Sequence, residues 1–309
     1  MGDFNLNDVM SEEYMETLAI LAIFRNEATI LEEWIEYHIN EGVDHFYLIN
    51  NLSTDNYSEI LTKYKGKITL YQHNQLYNVN TIEETFGGQN ESYKNVLPDI
   101  KEDWLYVVDL DEFAYVRKPY TNIKDLLIKE GHRFDQIAIK LKQFTSGGLI
   151  KQPNSVVDNF TVRWDHDIYR YFLGKCIART NKIEYIEINH CFLKNGSITV
   201  DGNLENPTDF FTFENKKENK KDIRAFLNTK HLYLDSTEQS IKRDIILSNH
   251  YSVQSRDWFL NVKAKRGVVS WIPDVGTTIS AWWEDYWKRT HKHNTLDDFE
   301  LRNIKRKNI

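Results

Sequence analysis

Short apolar runs alternating with amphipathic segments constrain the fold of this chain more than any other feature. Leu18 to Phe24 (LAILAIF) is an unbroken apolar run of strand length. Ile30, Leu31, Trp34, Ile35 and Ile39 then recur at helical spacing, with Glu32, Glu33 and Glu36 on the opposite face. Thr29 and Glu32 fit a capping box, and Gly42 is a natural helix stop. Val43 to Ile49 reads as a second strand, Ser58 to Tyr64 as a short helix and Lys67 to Tyr71 as a third strand. A helix around Ile82 to Val96 leads into a fourth strand, Trp104 to Val108. Repeated strand–helix–strand units of this kind build an α/β fold, a mostly parallel sheet with helices on both faces.

In such sheets ligands bind just beyond the carboxyl ends of the strands. Polar clusters stand at three of those ends: Arg25-Asn26-Glu27, Asn51-Leu52-Ser53-Thr54-Asp55 and Asp109-Leu110-Asp111. In an extended segment, residues two apart point the same way. Asp109 and Asp111 are therefore expected to face one hard cation and the phosphates it carries. A solvated strand end also produces Asp-x-Asp, so the motif gains meaning from its neighbours. Neither GxGxxG nor GxxxxGK[ST] follows the first strand, which excludes an ordinary dinucleotide or P-loop site.

Beyond Phe113 the pattern loosens. Gln136 to Phe144 reads as a strand ending in the turn Thr145-Ser146-Gly147-Gly148, and further strand pieces follow around Phe160–Asp167, Lys175–Arg179 and Lys182–His190. Asp201 to Lys230 is rich in Lys and Asn and reads as a polar excursion covering the site. Thr237 to Leu247 reads as a helix, and Ser255 as the N-cap of another that runs to Gly267. The last forty or so residues gather Trp271, Trp282, Trp283 and Trp287 with many Lys and Arg, a composition suited to a membrane interface or to packing on the sheet. The expected organisation is a tail over 1–17, one α/β domain over 18–267 and a Trp-rich basic segment over 268–309. The net charge of −7 argues against nucleic acid as a partner. Cys176 and Cys191 have no metal or redox spacing and read as buried thiols of a reducing compartment. No run reaches transmembrane length, and Met1 to Glu16 lacks a signal pattern, which together suggest a cytoplasmic protein, peripheral at most on the inner face of a membrane.

The blocks quoted above, with Leu31-Glu32-Glu33-Trp34-Ile35-Glu36-Tyr37-His38, Asp109-Leu110-Asp111-Glu112-Phe113 and Asn249-His250-Tyr251 followed by Ser255, Lys263, Arg266 and Gly267, carry a resemblance. The chain resembles GT-A glycosyltransferases of family 92 and family-2-like enzymes over roughly residues 18 to 267. The resemblance implies a hexose, galactose first, moved from a UDP-sugar to a glycan or lipid-linked acceptor hydroxyl, with inversion. It implies Mn2+ (or Mg2+) held by Asp111, Asp109 and His250. It implies nucleotide-sugar contacts from Arg25, Asn26, Glu27, Asn51, Asp55, Gln89, Tyr93, Asp109, Lys263 and Arg266. The base that takes the acceptor proton is sought among Asp165, Asp167 and Asp201, with Asp158 behind them, and Trp164 and Tyr169 are candidates to stack on the acceptor. Core packing explains His250, Gln89, Tyr93 and the aromatics equally well, and a solvated helix face explains Lys263 and Arg266. Two readings compete. A non-catalytic nucleotide-sugar or glycan-binding relative would keep the fold without turnover. An Asp-x-Asp phosphatase would want Thr or Val where Phe113 stands.

Overall fold

The computed structural model describes residues 15–73, 82–168, 171–187, 190–205, 233–266, 284, 286–288 and 290–307. In chain order the strands are β1 Leu18–Phe24, β2 His45–Asn50, β3 Ile68–Gln72, β4 Trp104–Val107, β5 Glu112–Val116, β6 Gln136–Gln143, β7 Val162–Trp164 and β8 Tyr171–Leu173. They continue with β9 Lys175–Arg179, β10 Ile183–Glu187, β11 His190–Leu193, β12 Thr199–Val200, β13 Tyr233–Asp235, β14 Ile246–His250 and β15 Thr295–Asp297. The helices used below are α1 Ala28–Asn40, α2 Tyr57–Thr62, α3 Ile82–Val96 and α4 Ile123–Glu130.

The central sheet runs β3-β2-β1-β4-β9-β6-β14-β5, with β12 also pairing β6. β1 to β4 are parallel, β9 runs against them, β6 and β14 run with them, and β5 returns antiparallel. This is the expected mostly parallel α/β sheet with a mixed far half. Every residue of β1 is buried, because helices cover both faces. Leu18, Ile20, Ala22 and Phe24 belong to the core under α1, and Ala19, Leu21 and Ile23 to the smaller core on the other face. Trp34, fully buried, anchors α1 over the first of these.

Local signals placed most elements. Gly42 has φ +92, and a Cβ there would meet Lys124 Cβ at 2.4 Å, so the helix stop needs glycine twice over. Two expectations are corrected. The α1 N-cap is Glu27, without a side-chain cap bond. Thr29 lies inside the helix, where its hydroxyl accepts from Trp258 Nε1 at 3.2 Å, so there is no capping box. The helix expected over Thr237–Leu247 ends at Arg243. Ile246–His250 is a strand instead, its residues buried between β6 and β5. Sheet pairing on both sides overrides the helical spacing that Ile241, Ile245 and Leu247 imitate.

The segment near the carboxyl end folds back onto this body. β15 pairs with β7, and Trp287 packs on Phe259 with ring centroids 5.0 Å apart. Trp271, Trp282 and Trp283 lie outside the described residues, as do Tyr169 and most of the Asp201–Lys230 excursion. Among the described residues no helix is long and apolar enough to cross a membrane.

Candidate active site

Because β1, β2, β4, β6 and β14 run in one direction, their carboxyl ends share one edge. Beyond Val107 the backbone turns rather than continuing extended. Glu112 N–H donates to the Asp109 carbonyl at 3.2 Å, and β5 then leaves in the register Glu112↔His250. The turn cancels the two-residue alternation on which a shared face for Asp109 and Asp111 depended. Asp109 Oδ2 sits 2.7 Å from Lys175 Nζ and stands apart from the cluster that Asp111 joins. Glu112, which the sequence reading passed over, takes that place.

Asp111, Glu112 and His250 each offer a ligand atom within 4.8 Å of the others. His250 Nε2 lies 3.4 Å from Asp111 Oδ1 and 3.8 Å from Glu112 Oε1. Charge-assisted hydrogen bonds are shorter, about 2.7–2.9 Å. The observed spacings match neighbouring ligands around one cation with bonds of about 2.1 Å. Lone pairs of two carboxylates and an imidazole converge on one space, which favours a positive charge between them. Burial works against charging His250, but the Asp111 and then the Glu112 carboxylate outweigh it and raise its pKa. Burial pushes the Glu112 carboxyl up to about 7, although Lys175 draws it back. The donor set fits a divalent cation. Backbone bonds fix its frame: Trp34 Nε1 donates to the Glu112 carbonyl at 3.1 Å, and Tyr251 N–H to the Asp111 carbonyl at 2.8 Å.

Two lysines flank the cluster. Lys175 Nζ bridges Asp109 and Glu112, 3.1 Å from Glu112 Oε2. Lys263 Nζ lies 3.1 Å from Asp111 Oδ2 and also donates to the Ser252 carbonyl. It ends a single π-helical stretch, Phe259–Lys263, that follows the Ser255 N-cap. Such stretches recur at functional sites. The Arg266 side chain lies outside the described residues.

The turns after β1 and β2 are sewn together beside this cluster. Asn26, at φ +52, donates its N–H to Ser53 Oγ at 2.9 Å, and its Oδ1 accepts from Thr54 N–H at 2.7 Å. Asp55 Oδ2 accepts from Ala28 N–H at 2.8 Å, and Asp55 Oδ1 is buried with no hydrogen-bond partner among the described residues. Arg25, Asn26 and Asp55 line a cleft of roughly 440 Å³ whose other wall carries Asn261 and Lys265. Asn51 is buried, with Nδ2 3.4 Å from the His73 carbonyl, and Glu27 is buried at the start of α1. In α3, Gln89 Nε2 donates to Tyr93 OH at 2.9 Å. Burial, then the charge of Asp109, raises the Tyr93 pKa.

The three base candidates separate. β7 bridges Phe144 beside Gln143 and His250, so Asp165 and Asp167 stand at the site's edge of the sheet. Asp165 is half-buried and accepts from Asp167 N–H at 3.1 Å, while the exposed Asp167 accepts from Glu238 N–H at 2.9 Å. Asp201 does not join them. It follows β12, pairs with Arg243 at 3.0 Å and lies beside the start of β14, about 20 Å of strand from His250. Trp164 is buried, with Nε1 donating to the Thr290 carbonyl at 2.7 Å, so it offers no stacking platform.

No protein with a curated description matches the chain. Among solved structures it is similar to S. aureus TarS 1-349, with 18% identity, a TM-score of 0.32 and coverage of 53% of this chain and 47% of that one. The same protein in complex with UDP gives 16%, 0.33, 60% and 61%, and HddC from Yersinia pseudotuberculosis gives 14%, 0.35, 60% and 89%. The chain thus spans about half the length of the first of these relatives. A sequence model of glycosyltransferase family 92 matches residues 19–305, and the chain belongs to that family.

Proposed function

We propose that the protein is a divalent-metal-dependent glycosyltransferase that moves a hexose from a UDP-sugar to a hydroxyl of a glycan or lipid-linked acceptor, with inversion. The observation that carries this reading is the Asp111–Glu112–His250 cluster, set with Lys263 at the carboxyl edge of the sheet. Asp111, Glu112 and His250 would hold Mn2+ or Mg2+, which when bound would neutralise charge on the departing diphosphate. Lys263 adds a fixed positive charge beside it. Arg25, Asn26 and Asp55 offer cation, amide and carboxylate to the nucleoside from the adjoining cleft. Of the base candidates, Asp165 is the half-buried one that directly follows β7, the strand bridged to Phe144 at the end of β6, and it would take the acceptor proton. A binding-only relative has no need of a lysine-flanked cation cluster.

The test is release of UDP from a panel of UDP-hexoses, with and without Mn2+. Turnover should require the metal and fall about 100-fold or more in Asp111→Asn, whose fold should persist. Full activity in EDTA would remove the metal from the mechanism, and no hydrolysis or transfer with any donor would favour a non-catalytic relative.

A further inference from the structure

A second pair of reactive groups lies behind the active site. Cys176 is in β9, immediately after Lys175, and Cys191 is in β11 of the hairpin packed against it. Both are buried and reduced. Cys191 N–H donates to Cys176 Sγ at 3.1 Å, which brings the two residues side by side. They line one wall of a cavity of about 170 Å³ together with Lys175, Gln136 and His190. A buried thiol is ordinarily inert. Here each thiol has the other within reach and an open volume beside it. That volume holds a molecule the size of water or peroxide, which occupies about 30 Å³ of liquid, and excludes a tripeptide disulfide.

We propose that Cys176 and Cys191 form an oxidation site for small hydroperoxides, whose disulfide displaces Lys175 and lowers turnover. The chemistry balances with hydrogen peroxide as oxidant. The Cys176 thiolate attacks one peroxide oxygen, the O–O bond breaks, and the departing hydroxide takes the thiol proton to leave water and a sulfenic acid. The Cys191 sulfur then attacks Cys176 Sγ, the S–O bond breaks, and the hydroxyl leaves with the Cys191 proton as a second water. Hydrogen bonding from Cys191, against burial and with a smaller contribution from the Lys175 charge, lowers the Cys176 pKa, which helps the first step. The coupling to function is short. A disulfide has a specific geometry, so forming one constrains β9 at the residue next to Lys175. Its Nζ is the group that holds Asp109 and Glu112 in place.

The effect on turnover rests on the transferase reading, whereas the cross-link does not. The full chain is treated with hydrogen peroxide in one arm and with glutathione disulfide in another. Peroxide should yield a protein about 2 Da lighter, with Cys176 and Cys191 in one cross-linked peptide, and glutathione disulfide should leave it unmodified. UDP release should fall about tenfold and return with dithiothreitol. Cys191→Ser should keep its untreated rate and resist peroxide, and Cys176→Ser provides the same control if the first variant melts early. A protein that gains oxygen atoms without a cross-link, or a cross-linked one with undiminished turnover, overturns the proposal. If untreated protein turns over no donor, the transferase reading fails. The cross-link and the Mn2+-UDP melting shift, present in reduced protein and smaller in oxidised, then decide this one.

Discussion

Lys175 is only 7% exposed at its side chain, and its Nζ lies 2.7 Å from Asp109 and 3.1 Å from Glu112. Without it, two carboxylates would face each other around a turn whose backbone is already set by Trp34 and Tyr251. Removing one partner of a buried pair costs more than the pair itself contributes, because the other charge is left uncompensated. Lys175→Met should therefore lose about 3 kcal/mol of stability, toward the low end for buried pairs because Asp109 is 36% exposed. Urea unfolding that gives the wild-type midpoint would show that the pair is screened by solvent. Asp111 and His250 were legible in the sequence because their chemical types stand at a strand end and in a family block. Glu112 was not. On a continuing strand it would point away from Asp111, and only the turn brings the two together. Lys175 left no local signal at all, since its partners lie 63 and 66 residues earlier, and Asp201 misled because composition says nothing of which sheet edge a loop reaches.

At the scale of elements, β9 is the antiparallel insertion between β4 and β6, and it delivers Lys175 to the site. It can lie there because Gly174 precedes it. A Cβ at Gly174 would come within 2.4 Å of the Ile139 carbonyl oxygen and 2.5 Å of Leu234 Cδ1. The first of these is backbone of the neighbouring strand and cannot rotate away. Gly174→Ala should cost about 1–3 kcal/mol, as small overpacking changes do, and should weaken Mn2+-UDP binding through Lys175. Thermal melting with and without the ligands measures both, and an unchanged melting temperature would mean that β6 and β9 part more easily than this packing implies. The parallel elements β1 to β4 and α1 to α3 were legible because they repeat one strand–helix pattern of apolar runs and amphipathic segments. β14 was not, because a five-residue strand buried on both sides has no alternation to betray it, and its neighbours β5 and β6 come from over a hundred residues away.

The whole molecule is closed by ion pairs that join its distant parts. Asp298 and Glu300, at the start of the helix Glu300–Lys307, reach Lys142 of β6 at 2.8 and 3.3 Å. Asp298 also meets Arg163 of β7 at 2.6 Å, and Glu300 meets Arg117 beyond β5 at 2.5 Å. Lys142 is fully buried, its Nζ 5.1 Å from the Tyr115 ring centroid. Burial pushes both carboxyls up, but the cations outweigh it. Lys142 leads for Asp298 and the Arg117 hydrogen bond leads for Glu300, and each ends at about 2. A carboxyl whose pKa is lower folded than unfolded stabilises the fold fully above its unfolded value, near 4, and ceases to do so as pH falls through the folded value. Stability should therefore decline between about pH 4 and pH 2, as these two groups take up protons and Lys142 is left without its counterions. Asp298→Asn and Glu300→Gln should each be less stable than wild type at pH 7 and should approach it toward pH 2. Their unfolding free energies should consequently depend less steeply on pH across that window. The measurement is urea unfolding at half-unit steps from pH 5 to pH 2, on the wild type and both variants. Parallel curves for all three would mean that the acid response arises elsewhere and that the carboxyl-terminal helix is held by its apolar contacts, led by the buried Leu301.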